Sequence, residues 1–180
     1  MPDNKKMVEI RHFKMSFGDK TVIKDLSFDV FRGEVFGFLG SNGSGKTTTL
    51  RALLGLYQST AGDLLINGKP YSVESQIRLG YLPEERGLYK KEKVLDVMLY
   101  FGQLKGLSRK EAKDFSLKFL ERVNLSDKAN TQLDKLSGGQ QQKIQLGVTI
   151  MGNPELLIMD EPAKGFDPVN RRLLMNIIEE

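Results

Sequence analysis

Eight consecutive residues constrain this chain more than any average over its length: Gly40-Ser41-Asn42-Gly43-Ser44-Gly45-Lys46-Thr47. They match G-x-x-x-x-G-K-[ST], the Walker A pattern of a loop that cradles phosphate groups. Ahead of them, Val35-Phe36-Gly37-Phe38-Leu39 is an apolar run of strand length, which predicts a central strand covered on both faces. Behind them, Leu50, Leu53 and Leu54 fall at helical spacing and predict a helix over Thr47 to Leu56. Glycines let successive backbone N–H groups converge on phosphate oxygens, and the helix points its positive end at the same anion. Ser41, Asn42, Gly43, Ser44 and Gly45 therefore line the predicted cradle, and Lys46 adds a full charge for the β and γ phosphates. The Thr47 hydroxyl can take one Mg²⁺ position, and Thr48 falls near the α phosphate. This pattern implies a nucleoside triphosphate and leaves the reaction open.

Two further segments carry chemistry. Leu156-Leu157-Ile158-Met159-Asp160-Glu161 is an apolar strand ending in two acids, the Walker B pattern. A carboxylate at a buried strand end needs a cation or donor to offset its desolvation. Asp160 is suited to hold Mg²⁺ through its water shell, and Glu161 to orient or deprotonate a water attacking the γ phosphate. Taken alone, the same residues also read as a polar strand terminus before the Pro162 turn. Leu136-Ser137-Gly138-Gly139-Gln140 reads as a helix start, with Ser137 as cap and two glycines exposing the first N–H groups. It is a second phosphate-binding helix start, 90 residues past Lys46. One γ phosphate rarely needs two such cradles from a single chain, so a facing copy of the protein is the natural use. A plain cap with a glycine turn is the alternative.

Around these motifs the chain reads as α/β. Leu26, Phe28 and Val30 alternate with Ser27, Asp29 and Phe31 as a half-buried strand, and Asn67-Gly68 signals a hairpin after Leu64-Leu65-Ile66. Ile77 to Leu82 predicts a strand stopped by Pro83. From about Glu92 to Leu125 the character is helical, with Val94, Val97, Met98 and Phe101 on one stripe and Phe115, Phe119, Leu120 and Val123 on another. Ser108 and Glu111 have the spacing of a capping box, and a last helix is expected from Pro168. The predicted organisation is a nucleotide-binding core over 1–85, a helical subdomain over 86–136, and 137–180 returning to the core.

Composition narrows the classes. The chain has 27 basic and 23 acidic residues, a net charge of +4, with no basic domain, so nucleic acid is not an expected partner. Cysteine is absent, which excludes disulfides, thiolate zinc sites and cysteine nucleophiles. The apolar runs fall far short of a membrane span, and the polar start, Met1 to Lys6, lacks the pattern of a signal peptide.

Walker A, then Leu136 to Gln140 followed by Gln141-Gln142-Lys143, then Walker B, resembles the nucleotide-binding ATPase domain of an ATP-binding cassette (ABC) transporter. The likeness runs along nearly the whole chain and implies a P-loop NTPase core with an antiparallel β part near the N-terminus and an inserted helical subdomain. By resemblance, Phe17 falls at the adenine-stacking aromatic and Val22 beside it; Asp167 falls in the D-loop that crosses a dimer interface. The resemblance implies a head-to-tail pair, homo- or heterodimeric, with Mg²⁺ and ATP between Walker A of one domain and Ser137, Gly138, Gly139 and Gln140 of the other. It also implies a transmembrane partner subunit and a place on the cytoplasmic side of the cell membrane.

Three departures stand out. Glu84 replaces the usual glutamine after Tyr81-Leu82-Pro83, as in a branch of bacterial exporter ATPases that includes sodium-extrusion types; a carboxylate there can still bind Mg²⁺ or its water. In Ala163-Lys164-Gly165-Phe166-Asp167-Pro168, Lys164 and Phe166 stand where smaller or aliphatic residues are common. The family's switch histidine after Walker B has no counterpart; the lone histidine, His12, reads as an ordinary surface or strand residue, and the chain is expected to be C-terminally truncated after Glu180. Two alternatives remain: an ABC ATPase with no membrane partner, such as a ribosome-acting or DNA-repair type, and a module that binds ATP with little turnover.

Overall fold

The computed structural model describes residues 5–72, 74–75, 77–85, 87–164 and 168–179. The chain divides into two compact units, Met1–Gln76 and Ile77–Glu180.

In the first unit, β1 (Lys6–Phe17) pairs antiparallel with β2 (Lys20–Phe31) on one side and β3 (Ala61–Ile66) on the other. Alternation makes the inner face. Val8 and Ile10 are buried, then Phe13 and Met15, so the buried phase moves from even to odd positions. A register irregularity between Arg11 and Lys14 absorbs the extra residue, and His12 sits there with φ at 47° and its N–H donated to Ser27 Oγ at 2.8 Å. One inserted residue flips every later side chain, and this bulge is why the sheet keeps one apolar face. His12 itself is an exposed strand residue, with Nδ1 3.3 Å from Asp25. The expected turn forms, though among the described residues only one bridge follows it and no second strand: Asn67 and Gly68 both take positive φ, 52° and 77°, while Ile66 and Lys69 exchange backbone hydrogen bonds of 2.7 and 3.2 Å. That is the backbone that an Asn-Gly pair accepts at low cost.

The predicted central strand at Val35 to Leu39 is corrected by the structure. These residues belong to no strand, and Val35 and Leu39 are 73% and 90% exposed. An apolar run specifies burial, whereas a strand also needs a ladder partner, and among the described residues none pairs with this segment. Ring contacts take its place: Phe36 stacks on Phe28 at 4.9 Å and Phe38 lies 5.5 Å from the same ring. Helix α1 (Lys46–Leu53) follows, shorter at its end than the leucine spacing predicts. Gly55 and Leu56 donate their N–H groups to Ala52 and Arg51 at 3.0 and 2.9 Å, a Schellman closure that ends the helix before Leu56.

In the second unit, β4 (Leu79–Leu82) and β5 (Leu156–Met159) lie parallel, with Leu82 opposite Met159. Three helices lie between the two strands in sequence, α2 (Val94–Leu104), α3 (Arg109–Arg122) and α4 (Gly138–Ile150), and α5 (Pro168–Glu179) follows them. The predicted stripes meet in one core, with Val94 and Met98 against Phe119, Leu120 and Val123, then Ile144, Leu146, Leu174 and Ile177. Burying each such side chain contributes about 1.5–3 kcal/mol relative to leaving it in water. The capping box is present, with Glu111 N–H on Ser108 Oγ at 3.2 Å and Ser108 N–H on Glu111 Oε2 at 2.8 Å.

The end of α4 is held by a side chain from another helix. Lys105, just past α2, donates to the carbonyls of Val148, Thr149 and Met151 at 2.7, 2.7 and 3.1 Å. Gly147 and Ile150 are satisfied by Met151 and Asn153 N–H groups, so the carbonyls of the last turn are all occupied. Burial pushes the Lys105 ammonium down to about 8 from the ordinary 10.5. Replacing Lys105 by methionine is expected to cost about 1–3 kcal/mol in urea denaturation, because buried acceptors lose their donor. A base with a lowered folded pKa leaves the unfolded chain holding more protons between pH 8 and 10.5, so stability rises across that window. Lys105→Met removes that rise; a pH series of melts on both proteins checks it.

Candidate functional site

The phosphate loop lies in the first unit and is shaped by one glycine above all. Gly45 begins α1 with φ at 93°, and a Cβ there would fall 2.2 Å from Ile23 Cδ1. The positive φ strains any residue but glycine there, and a Cβ would also push the end of the Ile23 side chain aside where the helix start packs on β2. Among the described residues no side chain caps α1, so its first N–H groups are left for an anion. Lys46 curls back over the loop, its Nζ donating to the carbonyls of Gly40 and Ser41 at 2.9 and 3.0 Å. Those bonds hold the ammonium on the loop's own concavity. Ser41 to Ser44 are exposed, Thr47 and Thr48 half-buried, and Thr49 is buried with its hydroxyl on Gly45 O at 2.9 Å. At the end of β1, Phe17 is 48% exposed and meets Tyr57 edge-on at 5.5 Å, with Val22 half-buried nearby in sequence on β2.

The acidic residues lie in the second unit, at the carboxyl ends of β4 and β5. Asp160 is 3% exposed, and its N–H donates to Leu82 O at 2.8 Å, which extends the strand pairing by one residue. Its Oδ2 is buried without a hydrogen-bond partner among the described residues. A buried carboxylate oxygen left in that state fits a hard divalent cation, which takes oxygen donors. Glu161 follows with φ at 50°, a conformation costly for a residue that carries a Cβ and found at sites where geometry is imposed. Its turn closes through Lys164 N–H on Glu161 O at 3.0 Å.

Lys164 Nζ then reaches two carboxylates at once. It bonds Glu84 Oε1, in the loop after β4, and stands 3.6 Å from Glu161 Oε2. The Glu84 bond first, and Glu161 further, hold the ammonium above its ordinary range. Residues Gly165, Phe166 and Asp167, the expected D-loop, lie outside the described residues.

Helix α4 fixes both loops. Its N-terminus carries the expected cap: Gln140 N–H donates to Ser137 Oγ at 3.3 Å, and Ser137 N–H to Gln140 Oε1 at 2.9 Å. Gly138 and Gly139 form its first turn. One helical turn further in, buried Gln142 donates to Pro162 O at 3.2 Å, tying down the loop that carries Glu161. Gln145, also buried, donates to Glu85 O at 3.0 Å, and Thr149 lies 3.4 Å from Tyr81 O. Neither glutamine stood out among the candidate residues. The readable signal is their spacing, polar residues three apart on the face that also carries Thr149.

A glycine-started, uncapped helix behind a phosphate loop, and an unpartnered buried carboxylate at a parallel strand end, define a P-loop nucleotide-binding protein. The family model described as ABC transporter matches residues 23–164, and the chain belongs to that family. It is 43% identical over 176 residues to an uncharacterized ABC transporter ATP-binding protein of Methanocaldococcus jannaschii, covering 98% of this chain and 64% of that protein. A Nod factor export ATP-binding protein of Rhizobium sp. is 37% identical over 174 residues, covering 95% and 57%. Among solved structures, a metal-chelate type ABC transporter in an inward-facing conformation superposes with a TM-score of 0.78 at 23% identity, covering 97% of this chain and 67% of that one. This likeness supports the expected α/β fold. The chain thus spans less than two thirds of the length of these curated relatives.

The glutamine anchors are testable without nucleotide. Gln145→Leu keeps the volume and removes the donor to Glu85, so it should lower unfolding stability by about 1–3 kcal/mol, read by urea denaturation.

Proposed function

We propose that this chain is the ATP-binding part of an ABC transporter subunit that hydrolyses Mg²⁺-ATP and powers export through membrane partners. The observation that carries the reading is the start of α1, where Gly45, the uncapped N–H groups and the inturned Lys46 leave an anion-shaped cradle. In this reading Ser41 to Gly45 and Thr48 wrap the phosphates, and Lys46 exchanges its two loop carbonyls for phosphate oxygens. Phe17 supplies a flat exposed ring for the base, with Val22 as its apolar neighbour. Asp160, with its buried oxygen, would be a carboxylate donor to Mg²⁺ and Glu84 would hold its water shell, while the Thr47 hydroxyl offers an oxygen donor beside the phosphate loop. When bound, Mg²⁺ neutralises developing phosphate charge. Glu161 accepts the proton of the attacking water.

Ser137, Gly138, Gly139 and Gln140 then serve the ATP of a second nucleotide-binding domain, with Asp167 at the shared face. Two considerations support this. The helix start is preorganised by its own capping box, and the family to which the chain belongs works in pairs with transmembrane subunits. Among the described residues no helix is long and apolar enough to cross a membrane, so spanning falls to a partner in this reading, with this domain on the cytoplasmic face. The export direction rests on a relative named for export.

Two substitutions test the assignment. Glu161→Gln should lower turnover by about 10²–10⁴-fold while ATP binding persists, because a positioned proton acceptor contributes that much. Unchanged turnover removes Glu161 from the mechanism. Lys46→Ala should weaken ATP binding by about 10–100-fold in equilibrium titration, the loss of a charge-assisted contact worth about 1.5–3 kcal/mol. Equal affinity would overturn the cradle reading.

A further inference from the structure

Glu84 and Lys164 lie 80 residues apart, and each departs from the residue common at its place in the family pattern. The structure brings these two departures together. Glu84 Oε1 accepts from Lys164 Nζ, and the same ammonium stands 3.6 Å from Glu161 Oε2. We propose that Lys164 is a positioning residue, an internal counter-ion that joins the Glu84 loop to the Glu161 loop and sets where the Glu161 carboxylate points. The inference rests on the hydrolytic reading above and deepens it.

Three observations argue for a built arrangement. First, the loops bridged by Lys164 are not free ends. Gln145 of α4 holds the Glu84 loop through Glu85 O, and Gln142 holds the Glu161 loop through Pro162 O. The two glutamines sit one helical turn apart, so the carboxylates hang from a single rigid element. Second, Lys164 is oriented by its own backbone, whose N–H closes the turn on Glu161 O at 3.0 Å. Third, the charges require it. Two carboxylates brought to one place repel each other, and one ammonium between them converts that repulsion into two attractions. An ordinary exposed ion pair contributes little to stability, and the contribution proposed here is to direction rather than to folding.

The bridge also explains how a carboxylate is tolerated where an uncharged glutamine is usual. Its charge is balanced from within the chain by Lys164. Lys164 touches neither nucleotide nor water in this account. It acts through Glu161 and Glu84, and so differs from a catalytic residue.

The test compares Lys164→Met, Lys164→Arg, Glu84→Gln and the Glu84→Gln/Lys164→Met double variant in the full chain. Steady-state ATP hydrolysis is measured with ATP as the probe, together with thermal melting of the nucleotide-free protein. A positioning role predicts that Lys164→Met lowers kcat about tenfold with KM for ATP within about twofold, since the binding cradle is untouched. Lys164→Arg, which keeps a cation able to bridge, should retain at least half of the wild-type kcat. In the Glu84→Gln background, Lys164→Met should slow kcat by clearly less than the roughly tenfold it costs in the wild-type background, while the melting temperatures of all four variants stay close to wild type. Wild-type kcat in Lys164→Met, strictly multiplicative kcat effects in the double variant, or a kcat loss that tracks a large drop in melting temperature would overturn the proposal. Glu161→Gln is measured alongside: if it turns over normally, the hydrolytic reading itself fails, whereas loss of turnover there with an unaffected Lys164→Met removes only the bridge.

Discussion

A buried helix can keep polar side chains only if each finds a partner, and α4 carries three on one face. Gln142 and Gln145 donate to Pro162 O and Glu85 O, which stitches the helix to the loops after both parallel strands, while the Thr149 hydroxyl donates to Gln145 O at 2.8 Å and lies 3.4 Å from Tyr81 O. Lys105 fastens its far end. Breaking any of these leaves a carbonyl stranded in a low-dielectric interior, and that penalty exceeds the modest gain of making the bond. The arrangement is therefore specified by what would be left unsatisfied, more than by attraction. The same helix begins at the Ser137 capping box, so the element that anchors the acidic loops also carries the glycine-rich start that we propose faces a second domain.

Charge is then distributed around fixed points. Among the described residues, Asp160 keeps a buried oxygen without a donor, a costly state that a hard cation would offset. Glu161 accepts a strained backbone to stand beside it. The two acids differ in environment although they are adjacent in sequence: one is enclosed at the strand end, the other is turned outward to meet an ammonium.

Much of this was legible in the residues. Patterns with a local physical cause came through: the glycine-rich loop and its helix, the Ser108 and Ser137 capping boxes, the Asn67-Gly68 turn, the Leu156 to Met159 strand and the apolar stripes of α2 and α3. Each depends on residues within one or two turns of each other. The Val35 to Leu39 strand failed because a ladder is a relation between segments, and an apolar run names no partner. The end of α1 was overestimated because leucine spacing continues past the Schellman closure at Gly55. Glu84 and Lys164 were each visible as departures, yet their pairing across 80 residues needed coordinates. Gln142 and Gln145 were missed because a run of glutamines reads as a polar surface until the helix is rotated against its strands.

The segment before the phosphate loop has one more implication. Val35 and Leu39 present apolar side chains to water on a stretch of backbone that joins no sheet ladder among the described residues. Such a stretch is a template for intermolecular strand addition. In concentrated preparations of this 180-residue chain, self-association should begin at this point, and a charged residue at the outward Leu39 position would act as its gatekeeper.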